Sequence, residues 1–223
     1  MDVTSMKNMI WRFRRNLGGV IRGGEPILQD LSAEQRRAMW PPARPLTAKH
    51  LTHCKVIESR EKLLELMPKN AVCAEIGIDR CDFSQLIMDI THPRELHLVD
   101  FNSGFIEAAK RRFGSELGAG QVKVHHGDSS DVILKMPDQY FDWIYIDADH
   151  NYAGVKKDLY AAHIKIKRDG LIALNDYIYF APSVFRKFGV VEAVNEFCVE
   201  RDFEIIYFAL QGRMYNDVVL RRF

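Results

Sequence analysis

The sequence lacks several things that would decide its class early. No apolar run approaches the ~20 residues that a membrane span needs. The start, Met-Asp-Val-Thr followed later by arginines, has neither the apolar stretch nor the small-residue cleavage site of a secretory leader. The four cysteines (Cys54, Cys73, Cys81 and Cys198) form no C-x-x-C pair, and reduced thiols in a cytoplasmic protein are expected. Net charge is only +1, so the whole chain makes no demand for an acidic partner. Internal repeats and low-complexity tracts are absent as well.

What remains is the composition of a globular protein. A hydrophobic content of 47% is ample for a core, and 27% charged residues argue against both disorder and a membrane protein. At 223 residues the chain has room for one large domain and a short extension. Charge divides it the same way: residues 1–50 hold 9 Lys/Arg against 4 Asp/Glu, and the remainder holds 22 against 26. We therefore expect a basic extension with a Pro-rich linker over residues 1–50 and a domain over residues 51–223.

In the extension, Met6, Ile10, Phe13, Leu17 and Ile21 recur at helical spacing, with Lys7, Arg12, Arg14 and Arg15 mostly elsewhere on the wheel. Such a helix is a solvated face packed on the domain, a contact to a partner subunit in a homodimer, or a lid. Gly18-Gly19 and Gly23-Gly24 break it, and the stretch from Trp40 to Pro45 is stiffened by its prolines. A helix is expected from Thr47 to Leu66.

From there strand-like and helix-like runs alternate. Strands are expected at Ala71–Ile78, Glu95–Val99, Gln121–His125, 141–146 and 170–174. Helices are expected near Phe83–Ile90, Ser103–Phe113, Ser130–Lys135, Tyr152–Lys167 and Val190–Glu200. Two final strand-like runs, Phe203–Leu210 and Asp217–Arg221, are joined by a short link and read as an antiparallel hairpin. Repeated βα units give a doubly wound, mostly parallel sheet with helices on both faces.

The informative residues lie where the apolar runs stop. One run stops at Asp147, Asp149 and His150, and the next at Asn175 and Asp176. A crossover helix fits between them, so the two strands can be parallel neighbours about 4.8 Å apart. Asp147, Asn175 and Asp176 then come within reach of one small ion, and oxygen ligands suit Mg²⁺ or a similar cation. Earlier, Glu75-Ile-Gly77 closes the first strand of the domain, Asp100 the second, and Gly127-Asp128-Ser129 the third. A glycine just past a buried strand lets the backbone approach a ligand closely. An acid one strand later can take ribose hydroxyls. Taken singly these features are turns and helix caps. Their order carries the argument.

That order resembles the class I S-adenosylmethionine-dependent methyltransferases over roughly residues 60–223. The motifs are Glu75-Ile-Gly77, Leu98-Val-Asp100, Gly127-Asp128-Ser129 and the terminal hairpin. Within that class, the stretches Ile146–Tyr152, Asn175-Asp-Tyr177 and Gly189–Phe197 resemble metal-dependent small-molecule O-methyltransferases of the catechol, caffeoyl-CoA and macrolide-sugar kinds. The resemblance implies a Rossmann-like sheet of seven strands whose last strand is antiparallel. It implies that Glu75, Gly77 and Ser84 hold the methionine end of S-adenosyl-L-methionine, Asp100 its ribose, and Asp128 with Ser129 its adenine. Asp147, Asn175 and Asp176 would be the metal ligands. The catechol-type relatives place a lysine base three residues after the first metal aspartate, and this chain has His150 there. Cys81 stands where a second glycine is usual. Asn175-Asp176 reverses the Asp-Asn order of the catechol enzymes.

The expected activity is methyl transfer to a hydroxyl of a small molecule, with His150 as base and Asp147 holding the metal. His150 otherwise contacts substrate or lies on the surface. Two alternatives stay open: a metal-free N-methyltransferase and a non-catalytic cofactor-binding protein. A nicotinamide-dependent dehydrogenase is the weakest option, because Gly77 lacks the G-x-G-x-x-G spacing. Nucleic acid is not expected as substrate, since acidic strand ends repel phosphate. Asp149 is expected to make structural hydrogen bonds.

Overall fold

The computed structural model describes residues 32–34, 42–182 and 186–223, so the basic helix expected around Met6–Ile21 and its glycine breaks lie outside the described residues. Residues Ala43–Phe223 form one compact unit. No described helix is long and apolar enough to cross a membrane.

Ten strands are described: β1 (Lys55–Ile57), β2 (Val72–Ile76), β3 (Glu95–Asp100), β4 (Val122–His126), β5 (Phe141–Ile146), β6 (Ile166–Leu174), β7 (Phe180–Ala181), β8 (Arg186–Lys187), β9 (Phe203–Ala209) and β10 (Asp217–Arg222). The helices are α1 (Arg60–Leu66), α2 (Asp82–Thr91), α3 (Ser103–Arg112), α4 (Gly114–Gly118), α5 (Ser129–Leu134), α6 (Tyr152–Lys165) and α7 (Val190–Arg201). Eight strands form one sheet in the order β1-β9-β10-β6-β5-β2-β3-β4, and β7 pairs with β8 in a separate antiparallel ribbon. β2 to β6 are mutually parallel, and β10 runs antiparallel to both β6 and β9.

The doubly wound sheet and its C-terminal hairpin are as expected. The strand count is not. β1 adds an eighth strand, parallel to β9 at the edge. It lies inside the stretch expected to be a helix from Thr47 to Leu66. Only a 3-10 turn at Ala48–His50 and α1 are helical there. Lys55-Val-Ile57 is β-prone, and the free edge of β9 supplies its hydrogen-bond partners.

The sheet is buried on both faces, which explains its uninterrupted apolar strands. Side chains alternate between two cores. Ile144 and Ile146 of β5 face one core with Val155 and Leu159 of α6 and Val194 of α7. Trp143 and Tyr145 face the other with Leu63 and Leu64 of α1 and Ile87 of α2. β2 and β5 are adjacent where the strand order reverses direction, the place where such sheets bind ligands at their carboxyl ends.

Candidate active site

At that reversal four strand ends, those of β3, β2, β5 and β6, are tied together by backbone hydrogen bonds. Gly77 N–H donates to Val99 O at 2.9 Å, Asp147 N–H to Ile76 O at 2.7 Å, and Asn175 N–H to Ile146 O at 3.0 Å. Gly77 has φ +83°, and a Cβ there would lie 2.1 Å from the carbonyl oxygen of Asp147. The residue type is thus demanded by the neighbouring strand end, as well as by the left-handed turn. Cys81 occupies the usual second-glycine position with glycine's backbone, at φ +64°. It is buried, and burial pushes its thiol up to about 11, so it is a packed residue and no nucleophile.

Glu75 points to the α2 side of the sheet and is buried, where it accepts a hydrogen bond from Ser84 Oγ. Burial pushes its carboxyl up to about 8, while the Ser84 bond pulls the other way. Asp100, at the end of β3, accepts the Ile78 N–H at 3.0 Å on Oδ2 and the Asn102 N–H at 2.7 Å on Oδ1. Each oxygen keeps a further lone pair. Asp128 caps α5, accepting from Ser130 Oγ at 2.7 Å and from the Asp131 N–H at 3.3 Å. Ser129 Oγ donates to Asp158 on α6 at 2.5 Å. Asp158 is buried, and burial pushes its carboxyl up to about 6.

The second constellation is acidic. Asp147, His150 and Asp176 each offer a ligand atom within 4.8 Å of the others. Asp176 adopts the left-handed region at φ +58° and is buried. Its Oδ2 lies 2.8 Å from His150 Nε2, and Asp147 Oδ1 lies 3.5 Å from the same nitrogen. Despite these distances, Nε2 is buried without a hydrogen bond. The contacts are close but not directed along an N–H, so we read them as electrostatic. Burial lowers the imidazole's pKa, and the two carboxylates more than reverse this, lifting it to about 9. The ring stacks on Phe188 at 4.5 Å between centroids, and its loop is held by the Gly189 N–H on the His150 carbonyl at 2.7 Å.

Asn175 sits beside this group but turns its amide nitrogen to it. Nδ2 donates to Asp147 Oδ1 at 3.0 Å, and Oδ1 accepts from Gln211 Nε2 at 3.3 Å. Asp149 stays local and accepts the Asn151 N–H at 2.9 Å.

Residues outside the sequence motifs complete the site. Arg60 from α1 lies with Nη2 3.5 Å from Asp147 Oδ2, and its Nε donates to Asp217 at 3.2 Å. Gln211 Nε2 also donates to Asp217 Oδ1 at 2.5 Å. Asp217 is the one of these with a signal in the sequence: a charged residue directly before the apolar run Val218-Val-Leu220. Arg60 and Gln211 had none, because contacts across the sheet edge leave no periodic trace.

Residues 74–177 match a protein family described as a methyltransferase domain. The match spans 104 of the 223 residues. Solved structures of other proteins share the fold. The Bacillus subtilis M1A22 tRNA methyltransferase is 18% identical, with a TM-score of 0.56 over 75% of this chain and 67% of that one. A ribosomal protein L11 methylase from Lactobacillus delbrueckii subsp. bulgaricus is 14% identical, with a TM-score of 0.55 over 73% and 77%. A Streptococcus mutans protein in complex with SAH is 9% identical, with a TM-score of 0.54 over 73% and 95%. No curated protein matches the chain by sequence.

Proposed function

We propose that this chain transfers the methyl group of S-adenosylmethionine to a hydroxyl of a small molecule, with a divalent cation held by Asp147, His150 and Asp176. The supporting observation is His150 Nε2: buried, close to two carboxylates, and without a hydrogen bond. A buried nitrogen of that kind is costly unless something else satisfies it. Two carboxylates and an imidazole are a suitable donor set for a small dication, and the imidazole shifts the preference from Mg²⁺ toward Mn²⁺.

When bound, S-adenosylmethionine supplies an electrophilic sulfonium methyl, and the cation supplies Lewis acidity that lowers the pKa of an acceptor hydroxyl. The chain's own residues do the positioning. Gly77 and Cys81 shape the turn at the methionine end, beside Glu75 and Ser84. Asp100 keeps lone pairs that would take the ribose hydroxyls, and Asp128 with Ser129 would hold the adenine. Asn175 and Gln211 hold the Asp147 carboxylate in one orientation, the usual work of a second layer around a metal ligand. Asn175 therefore moves from ligand to support in this reading. His150 in its neutral form can be ligand or base, but one Nε2 cannot be both at once. We assign it to the cation.

The acceptor is read as a small molecule because Asp147 and Asp176 bring negative charge to this edge and repel phosphate. One observation favours a second reading. Arg60 already brings positive charge to Asp147, which would serve a metal-free transfer to nitrogen.

The test is transfer of an isotopically labelled methyl group to a panel of hydroxylated acceptors. Turnover should stop in excess EDTA and return with Mn²⁺. Undiminished turnover in EDTA would move the assignment to the metal-free reading. SAH binding without transfer to any acceptor would make the chain a non-catalytic cofactor-binding protein.

A further inference from the structure

Arg60 has more hydrogen-bonding capacity than its described partners use. Ser59 caps α1, its hydroxyl accepting the Lys62 N–H, so Arg60 is fixed as the first helical residue. From there the side chain reaches across the carboxyl edge of the sheet. The guanidinium carbon lies 4.3 Å from the centre of the Phe83 ring and 5.3 Å from that of Tyr145. Phe83 is the second residue of α2, directly after the Gly77–Cys81 turn, so the charge stands at the mouth of that turn.

A guanidinium carries five N–H donors. Here Nε binds Asp217, and Nη2 faces Asp147 at 3.5 Å, longer than the roughly 2.7–2.9 Å of a tight charge-assisted bond. Nη1 donates to none of the described residues, and the side chain is 19% exposed. Asp217 does not depend on Arg60 alone, since Tyr145 Oη at 2.8 Å and Gln211 Nε2 at 2.5 Å also donate to it. A planar fork with a free edge, braced by two aromatic rings, is the geometry that receives a carboxylate.

The amino-acid end of S-adenosylmethionine is a zwitterion. Its ammonium suits Glu75, beside the Gly77–Cys81 turn. Its carboxylate needs a cation. We propose that Arg60 binds the α-carboxylate at the methionine end of the cofactor and so selects S-adenosylmethionine over a cofactor lacking that group. The inference rests on the cofactor reading above and adds a recognition residue from outside the matched family region.

The experiment is calorimetric titration of the full chain with S-adenosylmethionine and with decarboxylated S-adenosylmethionine, which differ by that carboxylate. The unchanged chain should prefer S-adenosylmethionine by at least about tenfold, the effect of one charge-assisted hydrogen bond. In Arg60→Met the preference should fall to near unity. In Arg60→Lys it should be reduced while the positive charge facing Asp217 is kept. If Arg60→Met does not fold, Arg60→Lys decides: a reduced preference supports the proposal and an unchanged one overturns it. Equal weakening of both ligands would also overturn it, because it marks a structural role. Equal binding of both by the unchanged chain would overturn it and leave the cofactor reading standing. Failure of the unchanged chain to bind either would contradict the cofactor reading itself.

Discussion

Gly77 and Asp147 meet backbone to backbone: a Cβ on Gly77 would lie 2.1 Å from the Asp147 carbonyl oxygen. The turn expected to receive the methionine end of the cofactor and the strand end expected to receive the metal are therefore one rigid junction. Gly77→Ala should cost about 1–3 kcal/mol for the left-handed backbone alone, and the clash adds to it. Urea denaturation measures the loss. The same variant should weaken both SAH and Mn²⁺ binding, and a loss confined to one ligand would argue against a shared junction.

Asn175 is assigned here to orienting Asp147, because its amide nitrogen, not its oxygen, faces that carboxylate. Asn175→Ala should then reduce Mn²⁺ affinity by about 10–100-fold, the usual cost of losing an outer-layer partner. Asp147→Ala should abolish binding. If the two variants behave alike, Asn175 is itself a ligand.

His150 makes stability depend on alkaline pH. Its pKa in the folded, metal-free chain is raised to about 9 by Asp147 and Asp176, against about 6.5 when unfolded. A raised base contributes stability that is fully present below about pH 6.5 and lost as pH rises through 9. The effect is at most about 3 kcal/mol. Melting temperatures across that window should fall for the metal-free chain. They should stay flat for His150→Gln, and also with saturating Mn²⁺, where the cation takes the place of the proton.

The opposite sign holds toward the β4 edge of the sheet. His97 Nδ1 lies 3.0 Å from His125 Nε2, and the rings stack at 5.1 Å. Burial and the His97 neighbour push His125 down to about 4. A base whose folded pKa is depressed stabilises the fold above its unfolded pKa, and that stability is lost as pH falls from about 6.5 toward 4. His125→Asn should shrink the acid loss in a pH series of denaturation midpoints. An unchanged acid limb would show that other groups govern it.

The fold was legible because parallel strands buried on both faces must be short apolar runs, and β2, β5 and β6 are such runs. Asp147 and Asp176 could be placed together because the length between them fits a crossover helix. β1 was not legible: its three residues pair with a strand some 150 positions away, and only that edge makes them extended. Side-chain orientation was beyond reach as well. Nothing in Asn175-Asp176 says which atom of the amide faces Asp147, since that depends on Gln211 across a loop. The sequence likewise places His150 near the acids, but only the fold shows its Nε2 between two carboxylates.

The central claim is that Asp147, His150 and Asp176 form a cation site at the methyl-transfer centre. Electron paramagnetic resonance of Mn²⁺ titrated into the EDTA-treated chain tests it most directly. We predict one bound ion per chain, lost in Asp176→Ala and in His150→Ala, with SAH affinity largely kept in both. A signal of free Mn²⁺ only, at all concentrations up to millimolar, would contradict the claim.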